Sequence, residues 1–157
     1  MEIISIKMIH ASGCLFLAVD TGRVLLQQRS SNSSHPRTWG YFGGKSEKNE
    51  RPIETLLREL DEEIGLIPDV EKIYPLNEFT SPDKKFVYNT FVVTVYQEFI
   101  PILNNESDGY CWVKIGNWPR PLHQGAKAQL LKKDIIRKIK TIHSNCSMDG
   151  SNWLDTF

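Results

Sequence analysis

Gly44–Leu66 reads GKSEKNERPIETLLRELDEEIGL, and its second half carries two periodicities at once. Ile53, Leu56, Leu57, Leu60 and Ile64 fall at i, i+3, i+4, i+7 and i+11, one apolar stripe at helical period. Pro52 suits a first helical position, where its missing N–H is no loss, and Gly65 suits a left-handed residue that ends a helix. The spacing predicts a helix over Pro52–Ile64. Glu59, Glu62 and Glu63 lie at i, i+3 and i+4, so their carboxylates share another face.

That acidic face is locally unfavourable. Like charges at helical neighbour spacing cost about 0.2–0.5 kcal/mol per pair, and acids in a last turn oppose the helix dipole. Within the run Glu59, Asp61, Glu62, Glu63, only Arg58 offsets the charge. Clustered carboxylate oxygens are what a hard divalent cation requires. Taken alone, E-x-x-E-E is more often an acidic solvated face; the spacing of the whole stretch decides against that.

Gly44 is followed after five residues by Glu50, and after seven more by Arg58-Glu59-Leu60-Asp61-Glu62-Glu63-Ile64-Gly65-Leu66. This resembles the Nudix box, G-x5-E-x7-R-E-U-x-E-E-x-G-U with U aliphatic, at every specified position. Average residue usage would give such a match at roughly one in 10⁹ starting positions. The resemblance implies an α/β fold, the Nudix-type α/β/α sandwich with a mixed central sheet. It also implies a loop–helix–loop that binds Mg²⁺ or Mn²⁺ and a hydrolase acting on a diphosphate linkage. Carried over by position, it implies Glu59, Glu62 and Glu63 as metal ligands, joined by the backbone carbonyl of Gly43 or Gly44. Glu50 and Arg58 would supply supporting polar contacts. The base would be Glu62 or Glu63, with Glu106 and, further out, Glu98 as later-loop candidates. Two positions depart from the common pattern: Ser46, where an aliphatic residue is usual, and Asn49, where Gly is usual. Asn is the commonest substitute for Gly at positive φ.

Outward from the box, Cys14–Val19 reads as a buried strand, Asp20–Arg23 as a turn and Val24–Arg29 as a second strand. A polar loop, Ser30–Arg37, leads into Thr38-Trp39-Gly40-Tyr41-Phe42-Gly43-Gly44, whose paired glycines permit close approach of backbone to a ligand. Beyond the helix, Asp69–Phe79 and Lys85–Glu98 read as longer strands joined by a turn at Ser81-Pro82-Asp83. A polar loop at Asn104–Gly109 precedes a short strand, Tyr110–Ile115. A second helix is predicted over Ala126–Ile142, with Leu131, Ile135, Ile139 and Ile142 as its stripe and Lys133, Arg137 and Lys140 solvated opposite. Residues 1–143 would form the catalytic domain and 144–157 a Ser/Asn-rich, loose C-terminal tail, with Trp153, Leu154 and Phe157 available to dock back.

The chain has 157 residues, enough for one domain with a real core. Its 19 Lys and Arg balance 19 Asp and Glu, which argues against nucleic acid as partner. Its three cysteines (Cys14, Cys111, Cys146) are scattered, as expected of reduced thiols in a cytoplasmic protein. No apolar run approaches the ~20 residues of a membrane helix, and a homodimer stays open. Selectivity must lie outside the box. Trp39, Tyr41 and Phe42 are candidates for stacking on a base, core packing being equally open to each, and Lys45 for a substrate contact. Trp39-x-x-Phe42-Gly43-Gly44-Lys45 resembles the approach to the box in oxidised-purine nucleoside triphosphatases, while Pro82, sixteen residues past Leu66, resembles a mark of ADP-ribose-type members. The reading leans to nucleoside triphosphates, oxidised purine forms included. The alternatives are an ADP-ribose or nucleotide-sugar pyrophosphatase and, in another class, a non-catalytic nucleotide-binding module, which the retained glutamates disfavour.

Overall fold

In the computed structural model the described residues are 8–65 and 69–155, with side chains followed as far as Cys146. The elements run β1 (Ile9–Ala18), β2 (Arg23–Arg29), β3 (Trp39–Gly40), β4 (Phe42–Lys45), α1 (Pro52–Glu63), β5 (Val70–Thr80), β6 (Phe86–Val95), β7 (Ser107–Lys114), α2 (Gln124–Leu130) and α3 (Lys133–Asp155). The sheet is ordered β3-β2-β1-β6-β5, with β4 also on β1 and β7 also on β2.

β1 organises this sheet. It pairs in parallel with β6 from Ile9↔Phe86 to Ala18↔Val95. Its other edge is shared, with β2 at Phe16↔Leu25 and Leu17↔Val24, and β4 at Ala11↔Lys45 through Cys14↔Phe42. The other pairings between these strands are antiparallel, so the sheet is mixed as expected. β1 is buried on both faces because side chains alternate across a strand. Cys14, Phe16 and Ala18 pack towards Leu56, Leu60 and Ile64 of the α1 segment. Leu15 and Leu17 pack towards Ala126 and Leu130 of α2 and Ile135, Ile139 and Ile142 of α3. Helices on both faces make the α/β/α sandwich.

Several local expectations needed correction. Leu57 is 51% exposed, so α1 buries a narrower stripe than its apolar count suggests. The helix ends not on a left-handed Gly65 but on Ile64 in extended conformation (φ −124°, ψ 113°), which bridges to Leu103. Extended backbone there turns the Ile64 side chain into the core at 1% exposure. The C-terminal helix is two helices, broken after Leu130. Leu130 is fully buried and Leu131, assigned to the stripe from sequence, is 57% exposed. The break shifts the apolar register by one residue. α3 then continues as helix to Asp155 where a loose segment was expected from Ser144 onward; Phe157 lies outside the described residues. Lys133, Arg137 and Lys140 are exposed, as expected.

Candidate active site

The box loop is held by Arg58. Its Nε donates to Glu50 Oε2 at 2.7 Å and its Nη2 to Glu50 Oε1 at 3.0 Å, a bidentate fork, while Nη2 also donates to the Lys45 carbonyl at 2.9 Å. Nη1 reaches back to Glu59 Oε1 at 3.1 Å and Glu62 Oε1 at 3.2 Å. Only a planar guanidinium can serve so many acceptors at fixed angles. The Arg58 hydrogen bonds, helped by the Glu47 N–H, hold the Glu50 carboxyl down to about 2. Asn49 sits at φ +66°, the positive value its place in the loop suggested. Ser46, the other departure, lies 2.7 Å from the buried Thr55 hydroxyl, so a polar pair occupies the usual aliphatic position.

Glu63 is the unusual carboxylate. It is 2% exposed; Oε1 accepts the Gly43 N–H at 3.0 Å, and among the described residues Oε2 makes no hydrogen bond. Burial first, then the charges of Glu59 and Glu106, push its pKa up to about 9. Burial also raises Glu59, against the pull of Arg58. The glycines make room for this. Gly43 has φ +151°, and a Cβ there would run into the Ser12 carbonyl; a Cβ on Gly44 would run into the Glu59 carboxylate.

A buried carboxylate with an orphaned oxygen beside two further acids suits a divalent cation. Ser12 Oγ, on the β1 residue that pairs with Gly44, is likewise buried and makes no hydrogen bond among the described residues. Glu59 and Glu63, with the Gly43–Gly44 backbone, are placed to hold such an ion. Among the described residues no three acidic, His or Cys side chains already converge on one point. The reason is visible in Arg58, which takes an oxygen from both Glu59 and Glu62 and keeps Glu62 on the outer, 56% exposed side.

A cavity of about 1030 Å³ opens on the α2 side of the sheet. Gly43, Gly44, Lys45 and Glu106 line one part of it. Tyr41, Phe79, Phe86 and Tyr88 supply aromatic surface, and Gln27, Asn77 and Gln129 supply amides. His123 caps α2, its Nδ1 accepting the Gly125 N–H at 3.2 Å; burial, then Arg29 and His35, lower its pKa.

Of the substrate-contact candidates, Tyr41 and Lys45 line this cavity and two do not. Phe42 is fully buried and packs edge-on against Phe16, with ring centroids 5.8 Å apart, so its ring is core and cannot stack on a base. Trp39 is a β3 residue whose N–H donates to the Pro121 carbonyl and whose carbonyl accepts the His123 N–H. It anchors the chain before α2 and is not in the wall. Tyr41, the neighbour of Phe42, points the other way, because neighbours in extended chain face opposite sides. Glu106 lies in the wall, within electrostatic reach of Glu59 and Glu63. Glu98 does not; its carboxylate is paired with Arg23 at 2.5 Å. The Ser81-Pro82-Asp83 turn closes the β5–β6 hairpin outside the cavity. None of the wall residues Phe79, Phe86, Tyr88 and Gln129 was singled out from sequence; period-2 alternation, which puts Asn77 with Phe79 on β5 and Phe86 with Tyr88 on β6, is the signal that could have found three of them.

Comparison with known proteins agrees with this geometry. Residues 8–133 match the NUDIX domain family. The chain is 36% identical over 92 residues to the 8-oxo-dGTP diphosphatase of Proteus vulgaris, covering 57% of this chain and 77% of that protein. It is 30% identical over 131 residues to the dihydroneopterin triphosphate diphosphatase of Haemophilus influenzae, covering 73% and 79%. The fold is similar to that of the Nudix hydrolase RenU from M. smegmatis, with TM-score 0.65, 22% identity and 87% of each chain covered. The chain belongs to the NUDIX domain family and is a Nudix pyrophosphohydrolase, an enzyme class that works with divalent metals. No helix among the described residues is long and apolar enough to cross a membrane.

Proposed function

We propose that the enzyme hydrolyses the triphosphate chain of a nucleoside triphosphate, or of a close heterocyclic analogue, with Mg²⁺ or Mn²⁺ bound at Glu59, Glu63 and the Gly43–Gly44 backbone. One observation carries this reading. The glycine pair that abuts the Glu59 and Glu63 carboxylates also borders the aromatic and amide-lined cavity, so a phosphate chain and its heterocycle have adjoining places. Bound divalent ions neutralise phosphate charge and lower the pKa of a bound water. Lys45 adds positive charge at the phosphate end. Tyr41, Phe79, Phe86 and Tyr88 give a heterocycle apolar surface to rest on. Glu106, in the cavity wall and within electrostatic reach of Glu59 and Glu63, would take the proton of the attacking water. Arg58 fixes the loop through Glu50 and Lys45, and Glu62, held by Arg58 at 3.2 Å, would be a third carboxylate available to the metal. The substrates in the names of the two relatives, an oxidised guanine nucleotide and a pterin triphosphate, share an amino-oxo-pyrimidine ring.

A phosphate and pyrophosphate release screen over (d)NTPs, 8-oxo-dGTP, a pterin triphosphate, ADP-ribose and sugar nucleotides, with Mg²⁺ and with Mn²⁺, tests this. Turnover concentrated on the triphosphates and abolished by chelator is expected. Preference for ADP-ribose would overturn the substrate assignment and leave the metal site standing.

A further inference from the structure

Gln129, on α2, is 4% exposed and lies in the cavity wall. The Tyr41 hydroxyl donates to its Oε1 at 2.9 Å and the Thr90 hydroxyl donates to the same oxygen at 3.0 Å. Tyr41 is itself fixed from behind, its carbonyl accepting Gln27 Nε2 at 2.9 Å, and Gln27 Oε1 is held by the Ser107 hydroxyl. Neither the Tyr41 nor the Thr90 hydroxyl has another acceptor among the described residues. Turning the amide over would strand both O–H groups, so Oε1 faces the protein and Nε2 is left to the cavity. Among the described residues Nε2 has no hydrogen-bond partner.

We propose that Gln129 is a specificity-determining residue, donating from Nε2 to a ring carbonyl oxygen of the substrate's heterocycle and so selecting oxo over amino bases. The proposal rests on the cavity being the base-binding end of the site. A buried amide N–H₂ held in one orientation gains a partner from a carbonyl. It meets another donor when the ring carries an exocyclic amino group at that place. Guanine, hypoxanthine, uracil and oxopterin rings present such a carbonyl; adenine presents an amino group instead.

ITP and ATP, which differ at this position of the purine, make the test, by steady-state kinetics under one metal. The wild-type enzyme is expected to favour ITP in kcat/KM by on the order of 10–100-fold, the usual yield of one well-placed base contact. Gln129→Glu keeps an acceptor for both hydroxyls and the side-chain length but removes the donor. It should erase the ITP:ATP preference, chiefly through a raised KM for ITP. Tyr41→Phe keeps the ring, releases one hold on the amide and should reduce the preference several-fold. A wild-type ITP:ATP ratio retained in both variants would overturn the assignment, as would equal use of the two nucleotides by the wild type. Turnover of ADP-ribose with neither triphosphate hydrolysed would overturn the triphosphate reading and Gln129 selection together.

Discussion

The two faces of β1 carry the two halves of the site, and they are built differently. On the α1 side, Arg58, Glu59, Glu62 and Glu63 come from two turns of one helix, and Glu50 from the loop before it. On the α2 side, Gln27, Tyr41, Phe79, Tyr88 and Gln129 come from separate segments spread over most of the chain. Charge chemistry requires carboxylates held close together against their repulsion, which a short rigid helix with one bracing arginine can supply. Recognition requires a concave surface, which only the assembled sheet and a covering helix can form. The metal half is therefore local in sequence and the recognition half is not. Three substitutions and one pH titration separate them.

The largest effect belongs to Glu63. Glu63→Gln keeps the acceptor for the Gly43 N–H but removes a metal-binding charge, and kcat should fall by roughly 10³-fold or more. The fold is expected to survive, as checked by far-UV circular dichroism. Arg58→Lys comes next. It keeps the charge and loses the bidentate grip on Glu50, so metal affinity or activity should fall by about 10–100-fold, as for other groups that orient metal ligands. The Mg²⁺ to Mn²⁺ ratio should stay the same. An unaffected enzyme would make Arg58 a mere surface partner of Glu62. On the other face, Phe79→Ala removes a cavity-wall ring that is 42% exposed and outside the core. KM for the base-bearing substrate should rise roughly tenfold, because base–aromatic stacking is worth about 1–3 kcal/mol, with kcat little changed.

The smallest effect is on stability. Folded Glu63 holds its proton up to about 9, above its ordinary 4.5, so the unfolded chain releases that proton first as pH rises. Metal-free protein should therefore lose stability progressively from about pH 4.5 to about pH 9 and melt a few degrees lower at the alkaline end. Glu63→Gln should flatten this slope. Glu50 works in the opposite sense. Its stabilising contribution is present above its ordinary 4.5 and is lost as pH falls towards about 2. Thermal melts of chelated wild type and Glu63→Gln across this range would show a common acid limb and a divergent alkaline one.

The same asymmetry explains what could be read in the sequence. The α1 helix and its acidic face follow from spacing, because helical period makes neighbours of residues three and four apart; the Arg58–Glu50 brace, eight residues apart, was expected only from the resemblance to the Nudix box. The buried strand β1 and the β5–β6 pair were legible from apolar runs and a turn. The break after Leu130 was not, since Leu130 and Leu131 are chemically alike and only packing decides which is buried. Phe42 and Trp39 illustrate the limit at the site. Three aromatics beside a glycine pair, Trp39, Tyr41 and Phe42, look equally able to stack on a base, yet strand alternation sends Phe42 to the core and Tyr41 to the cavity. Gln129 gave no sequence signal, since its role depends on Tyr41 and Thr90, which lie 88 and 39 residues away.

That the two faces act on one substrate is tested most directly by steady-state kinetics of wild type, Glu63→Gln and Phe79→Ala on a single triphosphate under saturating Mn²⁺. A collapse of kcat in Glu63→Gln beside a raised KM and preserved kcat in Phe79→Ala is the expected result. Wild-type turnover in Glu63→Gln, or an unchanged KM in Phe79→Ala for every triphosphate hydrolysed, would contradict it.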